Sequence, residues 1–189
     1  MARPRSDDKR KAILDAALRV FEERGTVNAP TSAISKAAGV AEGTLFTYFK
    51  TKDELTNELY LELRQEFSRH MGEFPYKASA KARLRYIWDR YLDLAAEHPR
   101  RLKVLTQLRA SGRFFKENEP RALALVEALR AVTDAAKVNE LRNMSPEYLV
   151  LMVRSQLEMT VEFIHANPEC AASCREQGFR MVWSGLTGK

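Results

Sequence analysis

Apolar positions recur at helical spacing along nearly the whole chain. Ile13, Leu14, Ala17, Leu18, Val20 and Phe21 fall on one face of a helix spanning about residues 8–24, and Gly25 stands where that helix would end. Residues 26–30 read as a loop. A short helix is predicted over 31–38, with Thr31 as its cap and Ile34, Ala37 and Ala38 on its inner face. Gly39 stops it, and a second short helix over about 42–49 carries Leu45, Phe46 and Phe49 as its bulky apolar positions.

Thr51-Lys52-Asp53-Glu54 is a capping box: Thr51 can accept from the Glu54 backbone N–H while the Glu54 carboxylate reaches back. It opens a long helix to about residue 71. Residues 72–76, which contain Pro75, form the best domain boundary. Five more helices follow: 79–97; 99–110, with Pro99 in its first turn; 120–141; 145–166, opened by Ser145-Pro146-Glu147; and 170–186. No alternating strand pattern competes with them. The expected fold is all-α with about nine helices. An N-terminal three-helix domain over 1–54, with a linking helix at about 52–71, precedes a helical domain over 76–189.

Charge sharpens this division. The net charge is +6. Residues 1–52 hold 10 Lys and Arg against 6 Asp and Glu, a larger surplus than the 21 against 19 of residues 53–189. Arg3, Arg5, Lys9, Arg10 and Lys11 crowd the N-terminus. A basic segment of this kind favours nucleic acid, anionic lipid or acidic partners, and is equally what a solvated terminus looks like. No apolar run approaches the ~20 residues needed to span a bilayer, and the polar start lacks the apolar core of a secretion signal. The expected partners exclude a membrane, and the expected location is the cytoplasm.

Enzyme chemistry finds no foothold. His70, His98 and His165 are scattered, and neither a phosphate-cradling glycine loop nor an H-E-x-x-H pair is present. Cys170 and Cys174 are four apart on one helical face. They read as small, often buried side chains or, with His165 nearby, as a redox or metal switch. No catalytic residue, cofactor or metal site is expected.

The layout of 31–49 carries chemistry of another kind. A short helix, a turn at Gly39 and a second short helix form a helix-turn-helix, whose second helix can enter a major groove about 12 Å wide. Glu42, Thr44, Thr47 and Tyr48 occupy its outward positions, while Leu45 and Phe49 face inward. Phe46 either packs on a thymine methyl or sugar, or completes the small core. Thr31 and Lys52, each at a helix start, can each meet a phosphate.

The stretch from Thr31-Ser32-Ala33-Ile34-Ser35-Lys36-Ala37-Ala38-Gly39-Val40 through Ala41-Glu42-Gly43-Thr44-Leu45-Phe46-Thr47-Tyr48-Phe49 to Lys50-Thr51-Lys52-Asp53-Glu54-Leu55 resembles the DNA-binding domain of the TetR/AcrR family of regulators. The family pattern is I-A-x-x-A-G-V-s-x-G-x-L-Y-x-Y-F-x-s-K-e-x-L. Here Ser35 replaces the usual Ala, Ala41 the usual Ser and Phe46 the usual Tyr, which removes a hydroxyl from the DNA-facing set. The resemblance covers about residues 8–60.

It implies that Thr31 and Ser32 touch phosphate, that Glu42, Gly43 and Thr44 form the front of the recognition helix, and that Phe46, Thr47 and Tyr48 approach backbone or base edges. It also implies that Lys52 neutralises a phosphate. Glu42 is acidic: if it contacts DNA it should accept from a cytosine amino group, and otherwise it faces away. The basic arm would track an adjacent minor groove or raise non-specific affinity.

For the second domain the resemblance implies a homodimer, built by the last two helices of each copy, that binds a palindromic double-stranded operator as a repressor and is released by a small-molecule effector. The helix over 145–166 is apolar on more than one face, as a helix packed on its own domain and on a partner would be. Effector candidates are Trp88, Tyr91, Leu105, Arg109, Phe114, Met152, Gln156, Met159 and Phe163, together with Leu92, Leu108 and Phe115. Aromatics and Met suit an adaptable apolar cavity, and Arg109 and Gln156 can orient a polar group. The rival readings are a helical adaptor that binds protein rather than DNA, and a DNA-binding activator.

Overall fold

A computed structural model describes residues 7–110, 124–136, 141 and 145–187. Among these residues there are helices and no strand: α1 (Asp7–Arg24), α2 (Thr31–Ala37), α3 (Glu42–Tyr48), α4 (Lys52–Met71), α5 (Ala80–Glu97), α6 (Pro99–Ala110), α7 (Ala124–Ala135), α8 (Pro146–Ala166) and α9 (Ala171–Thr187). A single 3-10 turn, Pro168–Cys170, precedes α9. The all-α expectation holds.

The chain forms two units. The first comprises α1 to α3, α4 through Phe67, and α6; the second takes α4 from Ser68 together with α5, α7, α8 and α9. In the sequence reading all of 76–189 formed one domain. In the structure α6 packs on α1 instead, because Val104 and Leu108 join the N-terminal core.

In the first unit, α1 has Asp7 and Asp8 in its first turn and Arg24 in its last, matching the helix dipole at both ends. Its buried face (Ile13, Leu14, Ala17 and Phe21) packs with Ile34 of α2, Leu45 of α3, Phe49, and Leu55 and Leu59 of α4. Burying each of the Leu, Ile and Phe side chains stabilises the fold by roughly 1.5–3 kcal/mol. Leu45 is the one buried residue of the seven in α3. That helix is therefore fastened by Leu45 and by Phe49 at its end, and its other side chains are left for something else.

The ends of these helices refine the sequence reading. Thr31 does not cap α2; Pro30 holds the cap position and no side chain bonds there. Phe49 is extended, so α3 stops at Tyr48. The capping box forms in part: the Glu54 N–H donates to Thr51 Oγ1 at 3.0 Å, but the Glu54 carboxylate accepts from the N–H of Lys50, one residue further back than expected, at 2.7 Å. The predicted helix over 120–141 appears as Ala124–Ala135, and residues 120–123 and 137–140 lie outside the described residues.

In the second unit α5 packs against α7, α8 and α9, and α8 also packs on α7 and α9. Leu84, Ile87, Trp88, Leu129, Val132, Val153, Leu157, Phe179 and Leu186 are buried. The Trp88 indole N–H donates to the Arg175 carbonyl at 3.0 Å, and its ring meets Phe179 edge-on. A lattice of ion pairs ties α5 to α9: Arg85 binds Asp89 and Glu176, while Arg175 binds Asp89 at 3.3 Å and Asp93 at 2.6 Å. The hydrogen bond from Arg85 holds the Glu176 carboxyl below the usual carboxylate range. Ser145 caps α8 as expected, accepting from the Tyr148 N–H at 3.2 Å, with Pro146 in the first turn.

Candidate nucleic-acid interface

The turn between α2 and α3 is set by backbone chemistry. Gly39 has φ +67°, a left-handed value that side chains with a Cβ rarely adopt. The Gly39 N–H donates to the Lys36 carbonyl and the Val40 N–H to the Ser35 carbonyl, at 3.2 and 3.0 Å. This pair of bonds is a Schellman motif, which satisfies the last carbonyls of α2 and reverses the chain. Ser35, where the family usually has Ala, is buried; its hydroxyl donates to the Ser32 carbonyl at 3.1 Å, so no polar group is left unmatched there.

From this turn α3 projects its open side. Glu42, Gly43, Phe46 and Thr47 are exposed and Thr44 is half-buried. A Cβ at Gly43 would meet nothing within 4 Å, so the backbone there is open to a large partner. Phe46 is 41% exposed and lies outside the core cluster, so it does not complete the small core. Tyr48 is half-buried and packs on the core cluster. The Thr47 hydroxyl donates within its own helix, to the Gly43 carbonyl at 3.0 Å.

Flanking groups frame this surface. Ser32 is exposed on α2. The Thr31 hydroxyl, free of any capping role, donates to Glu42 Oε1 at 2.8 Å and so joins the start of α2 to the start of α3. The Lys52 ammonium donates to the Thr26 carbonyl at 3.3 Å, bracing the loop that precedes α2. Arg10 was no candidate in the sequence beyond its place in the basic arm. In the structure its guanidinium pairs with Glu58 of α4 and lies 5.5 Å from the Phe49 ring centre, so it clamps the far end of α3. No local pattern announces such a contact, because its partners are 39 and 48 residues away along the chain.

The effector candidates fall in several places. Trp88, Tyr91 and Leu92 are buried in the second unit. Met152 and Gln156 line a cavity of about 100 Å³ with Val153, Met181, Val182 and Leu186. Met159 and Phe163 are exposed on α8. Leu105, Leu108 and Arg109 stand on α6 in the first unit, where Leu105 and Leu108 pack with its core. Phe114 and Phe115 lie outside the described residues. Cys170 and Cys174 are half-buried thiols, and no group of three or more potential metal ligands occurs among the described residues. No described helix is long and apolar enough to cross a membrane.

A basic N-terminal segment, a tight α2–α3 turn and a short outward-facing helix define a helix-turn-helix. Residues 13–59 match the family model described as bacterial regulatory proteins, tetR family. That stretch holds α2, the turn and α3, so the family likeness is carried by the helix-turn-helix. The chain is 38% identical over 98 residues to the fatty acid metabolism regulator protein of Bacillus subtilis, covering 51% of this chain and 50% of that one. The chain thus spans about half the length of that curated relative.

Two solved structures extend the likeness in fold. The transcriptional regulator FadR of Bacillus subtilis, in complex with stearoyl-CoA, superposes with a TM-score of 0.70 at 25% identity, covering 93% of this chain and 98% of that one. A TetR family transcription regulator from Marinobacter aquaeolei VT8 superposes with a TM-score of 0.75 at 21% identity, covering 95% and 96%.

Proposed function

We propose that the protein is a homodimeric repressor that reads a palindromic operator with α3 and is released by a fatty acyl thioester. The observation that carries the first part is α3 itself. One buried leucine fastens it to the core, and Glu42, Gly43, Phe46 and Thr47 are left exposed along it. Thr31, Ser32, Thr44, Tyr48 and Lys52 complete the proposed DNA surface, with side chains and backbone N–H groups of this region serving phosphate and base contacts. Lys52 already touches Thr26, so its contact would fix the loop and the phosphate together.

Dimerisation is supported by an apolar face that the single chain leaves open. Leu151, Met159 and Phe163 on α8 and Met181 on α9 are 48–67% exposed. Apolar side chains this large rarely gather on a surface that stays wet. A second copy related by two-fold symmetry would cover them, and a palindromic operator offers two half-sites one DNA turn apart, about 34 Å, to two recognition helices.

The effector class rests on the relatives. The 98-residue likeness to the fatty acid metabolism regulator is longer than the stretch 13–59 and so extends outside the helix-turn-helix. FadR carries stearoyl-CoA in its crystal structure. Acyl thioester would bind one conformer better than the other, and the operator the reverse, so each weakens the other by the same factor.

The test selects bound duplexes from a random pool and then adds stearoyl-CoA to the complex. Release of the selected duplex is expected. Retention across short and long acyl thioesters would overturn the effector class, and a failure to enrich any duplex would overturn DNA reading.

A further inference from the structure

Glu42 is an odd residue to place first in a helix that meets a polyanion, and its surroundings give it a use. It is exposed at the start of α3, and Thr31 donates to its Oε1 at 2.8 Å from the start of α2. No other hydrogen bond or ion pair of the Glu42 carboxylate is seen among the described residues. The side chain, which in solution would swing about three torsions, is thereby anchored at one oxygen while Oε2 remains open. Beside it Gly43 has open space where a Cβ would stand.

We propose that Glu42, positioned by Thr31, is the base-specificity residue of this helix-turn-helix and reads the amino group of a cytosine. The inference rests on α3 being the helix that enters the major groove. An ionised carboxylate only accepts hydrogen bonds. Cytosine shows an N4 amino donor in the major groove, with no acceptor on its own edge; adenine sets N7, an acceptor, beside its amino group, and guanine and thymine offer acceptors. A carboxylate therefore finds a donor with no acceptor beside it only on cytosine. The Thr31 contact holds the carboxylate in place before DNA arrives, so less side-chain freedom is lost on binding.

The test compares duplex selection by the full chain, by Glu42→Gln and by Thr31→Val, with helicity checked by circular dichroism. The original protein is expected to enrich cytosine at one position of each half-site by about ten-fold or more over other bases. Gln keeps an acceptor for Thr31 but presents an amide, so Glu42→Gln should lose that preference and shift toward adenine, which pairs with both faces of an amide. Thr31→Val keeps the carboxylate but frees it, so the cytosine preference should shrink several-fold without moving to another base.

If Glu42→Gln enriches the same bases as the original and only the affinity changes, Glu42 is a brace between α2 and α3 and the inference fails while DNA reading stands. If the original protein enriches no duplex, DNA reading itself fails, and the inference falls with it.

Discussion

Gly178 of α9 makes room for Trp88 of α5. A Cβ at position 178 would lie 2.6 Å from Cζ2 of the indole and 3.0 Å from Cη2. Neither side can yield. Trp88 is fully buried and its N–H is tied to the Arg175 carbonyl one turn away, while Thr160 Oγ1 of α8 would be 3.1 Å from the same Cβ. In an open helix Gly→Ala gains about 1 kcal/mol. Here overpacking, at about 1–3 kcal/mol, should outweigh that gain. Gly178→Ala is expected to lower the denaturant midpoint; a raised midpoint would show that the indole is free to move.

Gly39 offers the converse case. A Cβ there would meet nothing within 4 Å, but φ is +67°. The cost of Gly39→Ala is thus conformational, about 1–2 kcal/mol. Asn tolerates this region better than Ala, so Gly39→Asn should recover part of the loss. Equal melting temperatures for Ala and Asn would mean that backbone strain is not what matters at the turn.

The α5–α9 ion pairs carry a pH signature. The hydrogen bond from Arg85, helped by its charge and by those of Arg180 and Arg175, lowers the Glu176 pKa from its ordinary value. A carboxyl with a depressed folded-state pKa contributes stability above its unfolded value and loses it as pH falls through the folded one. Glu176→Gln should therefore cost a little stability near neutral pH, and the difference from the original protein should close as the solution is acidified below the carboxylate range. A difference that stays constant with pH would assign the effect to packing rather than charge.

The exposed face of α8 and α9 gives a test of assembly that leaves the protomer intact. Met159 and Met181 are both more than half exposed, so Met159→Glu with Met181→Glu should barely disturb the isolated chain. Sedimentation should shift from dimer to monomer, and duplex affinity should drop with it, because one recognition helix alone reads half a site. A double variant that remains dimeric would place the interface elsewhere.

Much of this molecule is written locally. Helix starts marked by a cap or a proline (Ser145-Pro146, Pro99) and stops marked by glycine (Gly25, Gly39) are single-residue signals, and the structure follows them within a residue or two. The outward set on α3 was legible in part: Glu42 and Thr47 are exposed as read, whereas Thr44 and Tyr48 are half-buried, Tyr48 packs on the core cluster, and Phe46 is exposed. What stayed hidden depends on residues distant in sequence. Thr31 was read as a cap because only its immediate neighbours were visible; its hydroxyl goes instead to Glu42, eleven positions on. α6 looked like part of the second domain because it follows α5 directly, yet Val104 and Leu108 find their apolar partners in the N-terminal core. The burial of Trp88 was hidden in the same way, because nothing nearby in sequence reveals the notch at Gly178 that receives its ring.

The affinity of the full chain for a selected palindromic duplex, measured across a salt series, addresses DNA reading without reference to any effector. Two recognition helices and their flanking Lys and hydroxyl groups should contact about four phosphates or more, so affinity should fall roughly a hundred-fold or more between about 50 and 200 mM salt, on a straight log–log line. A complex indifferent to salt, or no duplex binding even at the low end of the series, would contradict the assignment of α3 and the turn at Gly39 as a DNA-reading device.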